Sequence, residues 1–245
     1  HVDDINKNNK VNLKKINFNN SKFATLIYSD GITINLNEDS KTIDFSQNKY
    51  SDWILIKNAD LSNWKINFYG QKEKINNNSQ SQRFNKQGLT GCLNIFNSTF
   101  NNTFFNIFNV NCEDGLNIIR SKGLINSILV NNAYSDAIDL DFSNIKISNI
   151  VVRNAGNDCL DVSGGNYILD KSELKNCGDK GLSVGEMSVL NGNYINIENS
   201  NIGISVKDLS KSMIDTFKAK NINICVESKK KKQEFGGAIA SFNLN

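Results

Sequence analysis

The sequence predicts an all-β fold, a right-handed single-stranded parallel β-helix, that is, a solenoid with coils of about 22 residues. Two repeated patterns and one omission predict it. First, one phrase is written five times: Glu113-Asp114-Gly115-Leu116-Asn117-Ile118, Ser135-Asp136-Ala137-Ile138-Asp139-Leu140, Asn157-Asp158-Cys159-Leu160-Asp161-Val162, Asp179-Lys180-Gly181-Leu182-Ser183-Val184 and Asn201-Ile202-Gly203-Ile204-Ser205-Val206. Its small residue falls at 115, 137, 159, 181 and 203, a constant spacing of 22, with a further echo at Cys225-Val226. Second, each interval holds another alternating run (Leu124–Val130, Ile145–Val152, Tyr167–Leu174, Tyr194–Ile197, Met213–Phe217) and then a corner with Asn at 132, 154, 176, 199 or 221. Third, the chain contains no proline, which suits a backbone that donates hydrogen bonds almost everywhere. A unit this short has no room for the helix pair of longer solenoid repeats, and it lacks leucine-rich-repeat spacing. The right hand follows from the general preference of parallel β crossovers.

Taken in order, residues 1–20 are polar and rich in Asn and Lys, and are expected to form a frayed or irregular cap. Period-2 runs then predict strands at Ala24–Tyr28, Ile32–Leu36, Thr42–Phe45, Trp53–Lys57 and Trp64–Phe68, less evenly spaced than those that follow. Gln71–Gln87 breaks the pattern and is expected to be a polar surface loop. The chain is thus expected to be one continuous domain: irregular N-terminal coils over 1–88, with the loop at 71–87, and a regular helix with a C-terminal cap over 89–245. Asn at one corner of successive coils tolerates left-handed backbone and is expected to form a ladder by bonding to its neighbour's backbone. The run Lys229–Lys232 reads as a solvated turn or as a contact for an anionic ligand, and Ala238–Leu244 as a last edge strand or cap.

A net charge of +3, mixed along the chain, argues against a nucleic-acid partner. No run of 18 apolar residues occurs, so no membrane span is expected, and no signal peptide is legible at the start. Five cysteines leave at least one unpaired. Cys159 and Cys225 occupy equivalent points three coils apart, and Cys112 and Cys177 each follow an Asn at a corner. At about 4.8 Å per stacked strand such partners are out of disulfide reach, so the cysteines read as small buried fillers.

The repeated strand displays more acid than a coil requires. On its outward face Asn117, Asp139, Asp161, Ser183 and Ser205 stack into one line, with Asp114, Asp136, Asp158 and Lys180 on the turn beside it. Arg120, Asp141, Glu186, Lys207 and Asp208 lie on the exit side. Asp136, Asp139, Asp158 and Asp161 therefore form a compact group of carboxylates, and stacked like charges destabilise a sheet. Three readings stay open. The group is an acid/base pair for glycoside chemistry, with carboxylates two coils apart near the inverting separation; or it is a Ca²⁺ site with Asp136, Asp139, Asp158 and Asp161 as ligands; or Lys180 and Lys207 neutralise it as a structural ladder.

Two resemblances add to this. The residues Ser135-Asp136-Ala137-Ile138, Gly156-Asn157-Asp158-Cys159-Leu160, Gly178-Asp179-Lys180-Gly181 and Ser205-Val206-Lys207 resemble the motifs of polygalacturonase-type glycoside hydrolases, which are right-handed β-helices of the pectin-lyase-like superfamily. The resemblance implies acid roles for Asp136 and Asp158. Asn157 stands where the family has an acid, Lys180 where it has His and Ser205 where it has Arg. Residues 89–237, from Thr90-Gly91-Cys92-Leu93-Asn94 through Glu234-Phe235-Gly236, resemble the β-helix region of bacterial surface proteins that carry CotH-type, kinase-like domains. That implies an extracellular, cell-surface or periplasmic location and an adjoining CotH-type domain. No kinase motif is present in this chain.

The expected function is a polysaccharide-active or polysaccharide-binding protein of lyase, hydrolase or epimerase type. In it Asp136, Asp158, Asp161, Lys180 and Lys207 would do the chemistry, while Asp114, Arg120, Asp139, Tyr134, Glu186 and Asp208 hold a chain that is expected to be anionic. The alternative is a non-catalytic surface module that binds a glycan or a partner protein.

Overall fold

The computed structural model describes residues 11–14, 24–49, 51–71 and 83–243. Most of the predicted N-terminal cap and of the loop at 71–87 therefore lies outside the described residues. Seventeen strands form one continuous sheet wound as a parallel solenoid of about eight turns, and no helix occurs among the described residues. They are β1 (Val11–Lys14), β2 (Thr25–Ser29), β3 (Ile32–Asn37), β4 (Thr42–Gln47), β5 (Ile54–Lys57), β6 (Lys65–Tyr69), β7 (Gly91–Phe96), β8 (Thr99–Val110) and β9 (Asp114–Ile119). There follow β10 (Lys122–Ala133), β11 (Asp136–Asp141), β12 (Asn144–Ala155), β13 (Leu160–Ser163), β14 (Asn166–Gly185), β15 (Val189–Lys207), β16 (Lys211–Lys229) and β17 (Ile239–Phe242).

The repeated phrase forms one face of the coil. β7, β9, β11, β13 and the ends of β14 and β15 stack in parallel, with Leu93, Leu116, Ile138, Leu160, Leu182 and Ile204 in register and fully buried. The second run forms the rest of the coil. It is longer than the alternation predicts, because β8, β10 and β12 each continue through a bend for 12 residues. The core between the faces is made of stacked Ile, Leu and Val.

The N-terminal strands are less regular for a definite reason. β1–β2, β2–β5 and β3–β4 pair antiparallel, whereas β4–β6, β5–β7 and β6–β8 are already parallel. Here the bonded Asn pairs Asn58–Asn97 and Asn63–Asn102 are each 39 residues apart, against 22 to 24 between neighbouring Asn pairs further along. The excess over a 22-residue coil is 17, the length of segment 71–87. At the other end β17 pairs only with Lys211–Ile214 of β16.

Two turns fix the cross-section. The predicted Asn ladder is present, but its bonds run side chain to side chain. Asn132 donates to Asn109 (3.0 Å), Asn154 to Asn132 (2.8 Å), Asn176 to Asn154 (2.7 Å), Asn199 to Asn176 (2.8 Å) and Asn221 to Asn199 (2.8 Å). All six have positive φ, between 55° and 64°, which Asn tolerates better than most residues. The opposite corner is a spine of buried serines. Ser98 N–H donates to Ser121 Oγ, and Ser121 N–H to Ser143 Oγ. Ser188 N–H in turn donates to Ser210 Oγ.

The cysteine expectation is corrected. Cys92 is bonded to Cys112 and Cys159 to Cys177, each pair with Cα atoms 5.4 Å apart; Cys225 is free and exposed. Comparing equivalent positions in different coils hid these pairs. Each bridge joins unlike positions, one at the start of a turn and the other where the chain comes round above it, 20 and 18 residues later.

Candidate functional site

Three outward rows run along the face made by β9, β11, β13, β14 and β15. The middle row pairs Asn117 with Asp139, Asp139 with Asp161, Asp161 with Ser183 and Ser183 with Ser205. Upstream lie Asp114, Asp136, Asp158 and Lys180, linked rung by rung. Asp158 N–H donates to Asp136 Oδ1 (2.8 Å), and Lys180 N–H to Asp158 Oδ1 (3.0 Å). Asn157, where the glycoside-hydrolase motif has an acid, donates to Asp136 Oδ1 at 2.7 Å and so orients it. Downstream, Asp141 faces Ile119 on one side and Ser163 on the other.

The predicted acids thus come together. Ligand-capable oxygens of Asp136, Asp158 and Asp161 lie within 4.8 Å of one another. Asp139 sits beside them but is tied to the other half of the cluster. Asn117 is 1% exposed, and its Nδ2 is shared among Asp114 Oδ2 (3.3 Å), Asp139 Oδ2 (3.1 Å) and Asp141 Oδ2 (3.4 Å). Two buried oxygens in the group, Asp161 Oδ1 and Asn117 Oδ1, have no hydrogen-bond donor among the described residues.

Burial and mutual repulsion set the protonation. Burial pushes Asp114 up to about 7, helped by Asp136 and Glu113 and opposed by bonds from Thr90 and Asn117. Asp158 is also raised to about 7 by burial and by Asp136, against the nearby Lys180. Asp136, Asp139 and Asp141 are raised too, in each case chiefly by burial, with repulsion from Asp114, Asp141, Asp161 and Asp136 adding to it at Asp139. This follows from low-dielectric surroundings that disfavour charge.

Lys180 Nζ lies 3.3 Å from Asp158 Oδ1 and also pairs with Asp179. Burial lowers its pKa, but these partners win and leave it raised. Both pKa values are therefore raised, which favours a charged Lys180 but a protonated Asp158: Lys180 gains from two carboxylates, whereas Asp158 is buried and repelled by Asp136, Asp161 and Asp179 against one ammonium. Lys207 is 5% exposed and bends back to donate to Ser183 Oγ at 2.7 Å.

The remaining predicted residues stand apart from this cluster. Asp208 Oδ1 accepts the backbone N–H groups of Lys231 (2.7 Å) and Lys232 (2.8 Å), and so holds the lysine-rich turn. Glu186 pairs with Lys232. Arg120 occupies an exposed corner with φ 48°. Tyr134 lies two residues before Asp136 and is 37% exposed, beside a separate cavity. Sequence reasoning placed Asn117 and Asp141 on the face but gave neither a role. The Asp-x-Asp spacing of 139 and 141 was the signal for the second; an Asn shared by three acids leaves none. No helix among the described residues is long and apolar enough to cross a membrane.

No family model matches the chain, and no curated protein or solved structure matches it, so the parallel β-solenoid rests on the structure itself.

Proposed function

We propose that the acidic face binds and modifies an anionic polysaccharide outside the cytoplasm. One observation carries the reading: Asp136, Asp158 and Asp161 from adjacent coils converge within 4.8 Å, and a buried oxygen of Asp161 has no donor among the described residues. Such a group favours a proton or a cation over three bare charges. A Ca²⁺ ion takes several oxygen ligands, and Asp136, Asp158 and Asp161, with Asp139 adjoining, supply the donor chemistry it needs. When bound, the ion would neutralise the acids and attract a carboxylated sugar.

The chain's own residues cover the other requirements. In the metal-free site Asp158, raised to about 7, keeps a proton near neutral pH and suits a general acid; a bound ion would displace that proton and leave Asp158 a ligand only. Asn157 and the Asp158 N–H fix the carboxylate of Asp136. Lys207, at the end of the acidic rows, holds an anionic group or serves as a base. The two disulfides support an oxidising compartment. The resemblances support a right-handed, pectin-lyase-like helix, and a surface protein with an adjoining CotH-type domain as its setting. A second reading, a non-catalytic module that binds a glycan or protein, is favoured by Lys180, whose ammonium is occupied by Asp158 and Asp179.

The test is turnover of an acidic and neutral polysaccharide panel, with and without Ca²⁺, by the wild type and by Asp158→Asn. Loss of a general acid is expected to slow turnover by at least about 10²-fold. Equal turnover by the variant removes Asp158 from the chemistry, and no turnover with retained glycan binding favours the second reading.

A further inference from the structure

The Asn ladder has a direction, and it runs out at a cavity. Every ladder Asn donates from Nδ2 to the Asn of the preceding coil, down to Asn109. The coil before Asn109 offers no further rung. Gly70 stands there, its N–H bonded to Phe108 O at 2.7 Å, and a side chain on it would begin 1.9 Å from Asn109 O. Asn109 Nδ2 therefore has no acceptor among the described residues. It lines a cavity of about 270 Å³ together with Gln71, Asn111 and Tyr134, over a floor of Val110 and Ala133.

The other polar groups in the cavity are also unspent. Asn111 uses Nδ2 on Gln71 O at 3.3 Å, which leaves Oδ1 as a free acceptor among the described residues. The Tyr134 hydroxyl makes no hydrogen bond there either. On the coil after Tyr134 the equivalent residue is Gly156, where a Cβ would stand 1.9 Å from Tyr134 O, so that position has room for no side chain. The lining thus offers a free amide donor, a free amide acceptor, a phenol and a small apolar floor, with no charged side chain among the described residues. Hydroxyl groups on an apolar ring match that pattern. The volume is just below the roughly 300–1,000 Å³ of small-molecule clefts, which suits one sugar ring.

We propose that this cavity is a subsite for a single neutral sugar, placed two residues upstream of Asp136 and separate from the acidic face. The inference rests on the acidic-face reading only in taking the ligand to be a glycan. It gives the protein a composite substrate preference: an acidic unit at the carboxylates beside a neutral unit at Tyr134.

The test is saturation-transfer NMR on the whole chain with the methyl glycosides of glucose, galactose, mannose and N-acetylglucosamine. At least one is expected to receive saturation. Its affinity is expected to fall at least about tenfold in Tyr134→Ala and in Asn111→Ala, less in Tyr134→Phe, and not at all in Asp158→Asn. Thermal melts establish that each variant is folded. Absence of transfer from all four glycosides overturns the proposal. So does binding undiminished in folded Tyr134→Ala and Asn111→Ala, or binding lost only in Asp158→Asn. Absence of polysaccharide turnover with glycoside binding at Tyr134 intact would sink the acidic-face reading alone.

Discussion

Asp114 and Asp158 hold protons at a pH where a surface aspartate holds none, and that has a measurable sign. Both are raised from 3.8 to about 7, so the folded state binds protons that the unfolded chain releases. Their contribution to stability is complete below about pH 4 and is lost as pH rises through 7. Asp179, Asp208, Glu173, Glu198 and Glu227 are shifted downward and act the other way, but they lose their contribution only at acid pH. Between pH 5 and 8 the raised acids therefore dominate. The Tm of the metal-free protein is expected to fall by at least about 5 °C across that range, and Ca²⁺ at pH 8 to restore it. A flat profile would mean that the cluster is solvated and fully ionised. Tyr167 is a second residue whose role is local. Its hydroxyl stands in the serine spine in place of a serine, donating to Leu140 O (2.8 Å) or Ser163 O (3.0 Å) and accepting from Ser143 N–H at 3.3 Å. Gly165 leaves the room for it, since a Cβ there would lie 2.6 Å from the hydroxyl. Tyr167→Phe leaves buried backbone groups unpaired and is expected to cost about 1–3 kcal/mol in denaturant unfolding.

At the scale of the element, the strands were legible because the coil is a repeat. Period-2 alternation marks which residues face in, and a spacing of 22 says which of them stack. Leu116, Ile138 and Leu160 were readable as one column, and Asp139 and Asp161 as the matching column outside. The limits of that reading are equally physical. Antiparallel pairing of β3 with β4 obeys the same alternation as parallel pairing, so Ile32–Asn37 and Thr42–Gln47 gave no sign of forming a hairpin. The corner asparagines showed a ladder, but not whether the partner is backbone or side chain. Nor was it visible that Tyr167, called only a strand residue, fills a gap in a corner of serines. The acids were legible as a cluster. Their division into Asp136–Asp158–Asp161 and a second set gathered by Asn117 needed side-chain geometry.

For the whole molecule, stability runs along one axis. Each coil touches its two neighbours, so the stack is held by nearest-neighbour terms and is weakest at its ends. β16 shows this: from Asp215 to Lys229 it pairs only with β15, and Lys218, Lys220 and Lys229 sit on or beside that edge, where lysine discourages strand addition. The two disulfides change how such a stack yields. Each turns one coil into a closed ring, so a chain drawn out from its termini by force pays out freely until it meets a bridge. The rings keep back the 20 and 18 residues between their cysteines. In single-molecule pulling, the fully extended chain is expected to be about 130 Å longer with reductant than without. Equal lengths would mean that the bridges do not form. A load applied along the stack would then meet two fixed stops, and tension could lengthen the remaining coils without passing them.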